Sequence, residues 1–170
     1  IIPLNIFIDP QYPVDKAIIT HAHADHAVPG HRKVLATRQT IEIMKLRFGE
    51  GCAKEFQILE YGKKININNV FISLLPSGHI LGSAQVLIEN KNEKIVVTGD
   101  YKTVKDPTVY NFELQKCDTI VSEATFGLPI FKHPNPNEEI YKLLESLKKN
   151  KNTTHLIGAY ALGKAQRIIK

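Results

Sequence analysis

Two cysteines, Cys52 and Cys117, are too few and too widely spaced for a disulfide framework or a thiolate zinc site. Neither stands in a CxxC pattern, so both are expected as buried, reduced thiols. No apolar run approaches the roughly 20 residues of a membrane-spanning helix. No secretory signal is recognisable before the first motif, so a cytoplasmic location away from membranes is expected. Internal repeats and low-complexity stretches are also lacking, and no element suited to reading base edges is visible. Charge of one sign is not concentrated either. Lys and Arg number 22 against 17 Asp and Glu, a formal charge of +5. Such an excess suits a polyanionic partner without requiring one.

What is present fits one compact domain. The 170 residues are 43% hydrophobic, enough for a sizeable core. The sequence does not begin with Met and stops within a helical pattern at Gln166-Arg167-Ile168-Ile169-Lys170, so it is expected to be a fragment trimmed at both ends.

Ala17-Ile18-Ile19 reads as a buried strand. Thr37 is placed to cap a helix carrying Ile41, Met44 and Phe48, with Gly49 as its stop. Residues 64–67 and 70–75 alternate around Asn68-Asn69 as a hairpin. Residues 84–89 and 95–98 form a second strand pair, and Thr119-Ile120-Val121 is expected to be a buried strand. Prolines 129, 134 and 136 mark a change of layer. Asn135, Pro136 and Glu138 then open a helix with a capping box and an apolar stripe of Ile140, Leu143, Leu144 and Leu147. Leu156-Ile157 is expected as a last strand, and Gly163-Lys164 opens a last helix.

The chemistry concentrates in His21-Ala22-His23-Ala24-Asp25-His26, where three imidazoles and a carboxylate fall within six residues. Alternation in an extended chain puts His21 and His23 on one side, within reach of one cation. The chain then turns, aiming Asp25 and His26 at a second position. Small residues between them let the loop fold tightly. His79 follows a strand on a Gly-containing loop, and Asp100 follows another in Thr98-Gly99-Asp100. Side chains at strand ends are held by a rigid sheet. His and Asp donors suit zinc, with manganese as the alternative. His31 lies near the cluster and is a candidate hydrogen-bond donor to a ligand.

With HxHxDH at residues 21–26 and the later His79 and Asp100, the chain resembles the metallo-β-lactamase superfamily. Ser122-Glu123-Ala124-Thr125-Phe126-Gly127 resembles the acidic motif of its β-CASP nucleases. Ala159-Tyr160-Ala161-Leu162-Gly163-Lys164-Ala165-Gln166 resembles the segment that opens their cap domain. Across nearly the whole chain the likeness is closest to the bacterial ligase-associated DNA exonucleases, also labelled predicted mRNA 3′-end processing exonucleases. The resemblance implies an α/β (α+β) fold, the αββα sandwich, over residues 1–127. Residues 128–170 would be the truncated start of a β-CASP cap. It implies two divalent ions: His21, His23 and His79 on the first, Asp25 and His26 on the second, Asp100 bridging. Asp25, Asp100 and Glu123 would be the catalytic carboxylates, and Lys102 and Lys164 candidate contacts to a substrate phosphate. The family's further ligand histidine and cap histidines lie downstream of residue 170.

The function expected is metal-dependent phosphodiester hydrolysis of nucleic acid, foremost a DNA exonuclease in repair. An ATP-dependent DNA ligase and a helicase would be its functional neighbours. The alternatives are an RNA 3′-end processing nuclease, a thioester or lactone hydrolase of the same fold, and a non-catalytic nucleic-acid-binding scaffold. Residues 158–164 also fit GxxxxGK, but Ala165 stands where a nucleotide-binding loop needs Ser or Thr for Mg²⁺.

A bridging role for Asp100 makes one prediction. Asp100→Ala is expected to lose at least one metal ion per chain by elemental analysis; unchanged metal content would rule out a dinuclear centre bridged by this residue.

Overall fold

The computed structural model describes residue 1 and residues 4–170. Two compact units are present, Ile1–Glu123 and Ala124–Lys170. The first contains two sheets. β1 (Phe7–Ile8), β2 (Lys16–Ile18), β3 (His31–Ala36) and β4 (Ala53–Ile58) lie in that order and run parallel. β5 (Lys64–Ile67), β6 (Val70–Pro76), β7 (Ala84–Glu89), β8 (Lys94–Val97) and β9 (Thr119–Val121) form the second, antiparallel except for the parallel β8–β9 pair.

The β5–β6 hairpin follows from its turn chemistry. Asn68 and Asn69 both take positive φ, 51° and 64°, as a two-residue turn matched to the strand twist requires. Asn66 accepts a hydrogen bond from the Asn69 amide at 3.0 Å. That pins Ile67 opposite Val70 and sets the register of the sheet. Alternation then aims Ile72 and Leu74 of β6, and Val86 and Ile88 of β7, to one face. There they pack with Ile18 and Leu35 of the first sheet and with Leu4, Ile6 and Leu59. The two sheets therefore share one core. Fully burying an aliphatic side chain of this kind contributes about 1.5–3 kcal/mol.

α1 (Arg38–Phe48) begins where Thr37 accepts from the Thr40 amide and ends at Gly49 with φ 88°. It buries Ile41 and Met44 and packs beside β4. On the face of the second sheet turned away from the shared core, Leu75, Leu87 and Val96 pack with Cys117. The segment that covers them, residues 98–118, has no regular helix or strand. It is tied down by side chains and isolated backbone bonds. Gln85 donates to the carbonyls of Pro76 and Glu113, and the Lys102 amide donates to Ser77. Asp106, buried, accepts from the Lys102 ammonium at 2.7 Å and from both the amide and hydroxyl of Thr108.

Several expectations need correction. β9 forms at the edge of the sheet with only β8 beside it, and all three of its residues are exposed rather than buried. Leu156-Ile157 does not form a strand; Leu156 is 93% exposed, and the pair joins no ladder among the described residues. α2 (Pro136–Lys149) starts at Asn135, whose side chain accepts from the Asn137 amide. Its apolar stripe is not buried within the chain. α3 spans Lys164–Ile169. Cys117 is half-buried rather than buried, and both cysteines are free thiols. Among the described residues no helix is long and apolar enough to cross a membrane.

The Asp106 network makes stability depend on pH. Burial is the largest single influence and raises its carboxyl pKa. The Lys102 ammonium and the Thr108 donors together outweigh it and hold the group down at about 2. A lowered folded-state pKa stabilises above the ordinary value of 3.8, and that contribution is lost as pH falls toward 2. Asp106→Asn is expected to cost on the order of 2 kcal/mol at pH 6 and almost nothing at pH 2. Urea titrations of both proteins across this range check it; a difference independent of pH would contradict it.

Candidate metal centre

Five strands end at one edge of the sandwich, each followed by a polar residue of interest. Asp9 follows β1, Thr20 and His21 follow β2, and His79 follows β6. Asp100 follows β8, and Glu123 lies two residues beyond β9. The ladders hold the strand ends rigidly, so short loops suffice to bring the side chains together.

Nε2 of His21 and Nε2 of His79 lie 3.1 and 3.2 Å from Nδ1 of His23. Asp100 Oδ2 is 3.7 Å from His21 Nε2 and 3.5 Å from His79 Nε2. Ligand atoms of these four residues all fall within 4.8 Å of one another. His26 sits beside them, with Nε2 3.4 Å from Asp100 Oδ1 and 3.8 Å from Asp25 Oδ2. The Asp25 side chain is 77% exposed. Among the described residues Asp25 belongs to neither convergent group of ligand atoms; the second group is Asp9, His21 and His26.

Asp9 is the residue that sequence reasoning missed. Its carboxylate accepts from the Thr20 amide at 2.8 Å, the Thr20 hydroxyl at 2.6 Å and His26 Nδ1 at 2.8 Å. Because the Thr20 hydroxyl spends its proton on Asp9, it can only accept from His21 Nδ1, 3.1 Å away. One carboxylate thus puts the Nδ1 proton on both His21 and His26, turns both Nε2 atoms toward the cluster and leaves the His21 Nε2 lone pair free. Carboxylate-oriented imidazoles of this kind are typical of metal sites. The only sequence signal is an Asp after a short apolar run, which nothing links to a loop eleven residues away.

Electrostatics fit a divalent cation. Burial, followed by the neighbouring His26 and His79, pushes His21 down to about 2, so its Nε2 lone pair is free. Burial likewise lowers His79. The hydrogen bond from His26 holds Asp100 down at about 2. Burial would lower His26, but Asp100 and Asp9 together raise it to about 10. A proton on His26 thus offsets the carboxylate charge, and a cation bound here would take its place. At these separations ring nitrogens of His21, His23 and His79 and a carboxylate oxygen of Asp100 converge on one volume, a donor set of the kind zinc takes.

The supporting residues are placed by backbone geometry. Gly99 has φ 55°, and a Cβ there would lie 2.7 Å from the Thr20 hydroxyl, so only glycine lets the loop after β8 approach the loop after β2 at this point. Ser77 donates to the Asp100 carbonyl at 2.9 Å. Ser83 accepts from the amides of His79 and Ile80, closing that loop. Glu123 is half-buried, and its charge acts on His79. Lys102 points its ammonium at Asp106. Lys164 lies in the second unit, its ammonium 4.5 Å from the Tyr160 ring centre. His31 is not a partner of the cluster. β2 and β3 run parallel, so the start of β3 lies at the sheet edge opposite His21, where His31 Nδ1 accepts from Val14.

No family model matches the chain. Among curated relatives it is 27% identical over 172 residues to a probable DNA ligase of Opitutus terrae, covering 98% of this chain and 16% of that protein. It is 26% identical over 179 residues to an RNase J-like protein of Methanocaldococcus jannaschii, covering 92% of this chain and 42% of that one. With the endoribonuclease ysh-1 of Neurospora crassa it shares 29% over 194 residues, covering 92% and 22%. The chain therefore spans less than half the length of each of these relatives. A crystal structure of an Enterococcus faecalis protein of unknown function superposes with a TM-score of 0.52 at 16% identity, over 82% of this chain and 39% of that one; the likeness is one of fold.

Asp9→Asn keeps the shape of the side chain and removes its charge. Metal affinity is expected to fall about 10–100-fold, measured by competition with a chromogenic chelator. An unchanged affinity would remove Asp9 from the centre.

Proposed function

We propose that this chain, which belongs with the β-CASP nucleases of the metallo-β-lactamase superfamily, carries the metal-binding part of a metal-dependent phosphodiesterase acting on nucleic acid. The observation that carries the reading is the convergence of His21, His23, His79 and Asp100 at the strand ends. His21, His23, His79 and Asp100 would hold one divalent ion; His26, with Asp25 turned toward it, would hold a second, and Asp100 would be shared between the two. Zinc is the first candidate and manganese the alternative. When bound, such ions neutralise phosphate charge and lower the pKa of water to about 7.

The chain's own residues supply the rest. Asp9 and Thr20 hold His21 and His26 in one tautomer. Asp25, whose side chain is largely exposed, would orient the attacking water. Asp100 and Glu123 place negative charge beside the histidines and keep the ligands aligned. Lys102 anchors the segment after Asp100 through Asp106 and reaches a substrate phosphate only if that pair opens. Lys164 is the phosphate contact proposed for the second unit, which we read as the opening of a cap domain from about residue 128.

For the substrate, DNA comes first. The relative named as a probable DNA ligase matches over 98% of this chain, which supports a DNA exonuclease working in repair beside a ligase. RNA 3′-end processing is the second reading, supported by the relatives named as endoribonucleases and by one named as a cleavage and polyadenylation specificity factor subunit.

A nuclease assay separates these. End-labelled single-stranded DNA, duplex DNA and RNA are offered to the full-length protein with zinc or manganese. Stepwise loss from a DNA end is expected, reduced about 10²–10⁴-fold in Asp25→Ala. Internal cuts in RNA would move the protein to the second reading. No cleavage, with metal shown to be bound, would favour a thioester or lactone hydrolase.

A further inference from the structure

Four backbone carbonyls of the 20–25 loop, those of Thr20, Ala22, His23 and Asp25, accept hydrogen bonds, and two of the donors are side chains from elsewhere. Thr20 accepts from the Ala84 amide at 2.8 Å, and His23 from the amides of His26 and Ala27. The Asp25 carbonyl accepts from the Gln11 side chain at 2.6 Å. The Ala22 carbonyl, on a fully buried residue between His21 and His23, accepts from Arg47 Nη1 at 2.5 Å. Arg47 sits in the last turn of α1.

The first turn of the same helix reaches the other histidine loop. The hydroxyls of Thr37 and Thr40 both donate to the Gly82 carbonyl, at 2.7 and 3.0 Å. Gly82 has φ 84°, and a Cβ there would lie 2.8 Å from the Thr40 amide nitrogen, so loop and helix touch without a side chain between them. Three residues earlier is His79, whose amide is fixed by Ser83. The two loops meet where His79 Nε2 lies 3.2 Å from His23 Nδ1.

We infer that α1 is the splint of the metal centre. Thr37 and Thr40 hold the His79 loop at its start, Arg47 holds the His21–His23 loop at its end, and the helix between them sets the spacing of the two ligand groups. Arg47 and Thr40 are positioning residues, touching neither metal nor substrate. A helix suits the task because its length does not flex. A long guanidinium can reach a buried carbonyl that no backbone amide approaches. The inference rests on the metal-centre reading above.

The test uses the full chain, loaded with zinc or cobalt(II). Affinity is measured by chelator competition, geometry by the cobalt visible spectrum, and folding by thermal melts of the metal-free protein. Arg47→Met is expected to bind either ion about 10–100-fold more weakly, with an altered cobalt spectrum. Arg47→Lys should recover part of the loss, and Thr40→Val should show the same spectral change. Because both residues act on one spacing, the double variant Arg47→Met/Thr40→Val should lose less than the sum of the single losses. Wild-type affinity and spectrum in Arg47→Met, with only a lower melting temperature, would overturn the inference. If Arg47→Met does not fold, Thr40→Val decides it by the same criteria. Wild-type protein that binds neither ion would overturn the metal-centre reading itself, and the inference with it.

Discussion

The carboxylate of Asp9 is the constraint on which the centre depends. It takes three hydrogen bonds, and through them it dictates which nitrogen carries the proton on both His21 and His26. An imidazole in the wrong tautomer presents N–H instead of a lone pair and cannot ligate. Without Asp9 the histidines would still be close together, but nothing would hold their lone pairs toward a common point. Its position one residue beyond β1, beside the end of β2, follows from the parallel pairing of those strands.

The remaining groups are gathered by the same device, a strand ending at one edge of the sandwich. Sheets packed through Ile18, Leu35, Ile72, Leu74, Val86 and Ile88 do not slide. Loops that leave them are therefore anchored at fixed points. The loops are short and braced. Ser83 closes the one bearing His79, Ser77 grips the carbonyl of Asp100, and α1 ties the His21 and His79 loops from outside.

Bringing imidazoles and carboxylates together has an electrostatic cost, visible in the displaced pKa values. His21 is driven down by burial while His26, a neighbour in the same cluster, is held up at about 10 by Asp9 and Asp100. The two neighbouring imidazoles are pushed in opposite directions because His26 has two carboxylates beside it and His21 is buried. The proton on His26 satisfies Asp9 and Asp100 but does nothing for the donor atoms of His21, His23 and His79 that converge beside it. Lys102, bound to Asp106, keeps its positive charge a short way off rather than neutralising Asp100.

The local elements were legible in the sequence because their causes are local. Thr37 and Gly49 bracket α1, Asn68-Asn69 makes the hairpin, and Asn135-Pro136 opens α2. The grouping of His21, His23 and His26 was legible for the same reason, as was the placing of His79 and Asp100 after strands. Burial was less legible. The strand at Thr119-Ile120-Val121 and the stripe of α2 are apolar by composition, yet exposure depends on what lies opposite, which no local pattern states. Asp9, Thr20, Arg47 and Ser83 were invisible for a related reason. Their partners are brought near by strand pairing and helix packing, across gaps of 11 to 25 residues for Asp9 and Arg47. The sequence by itself determined which elements form and that His21, His23, His26, His79 and Asp100 stand at strand ends, since residue chemistry and turn propensity act over a few residues. Only the tertiary structure decided which donors face one another and in which tautomer, because that depends on hydrogen bonds between segments that meet only once the sheets have packed.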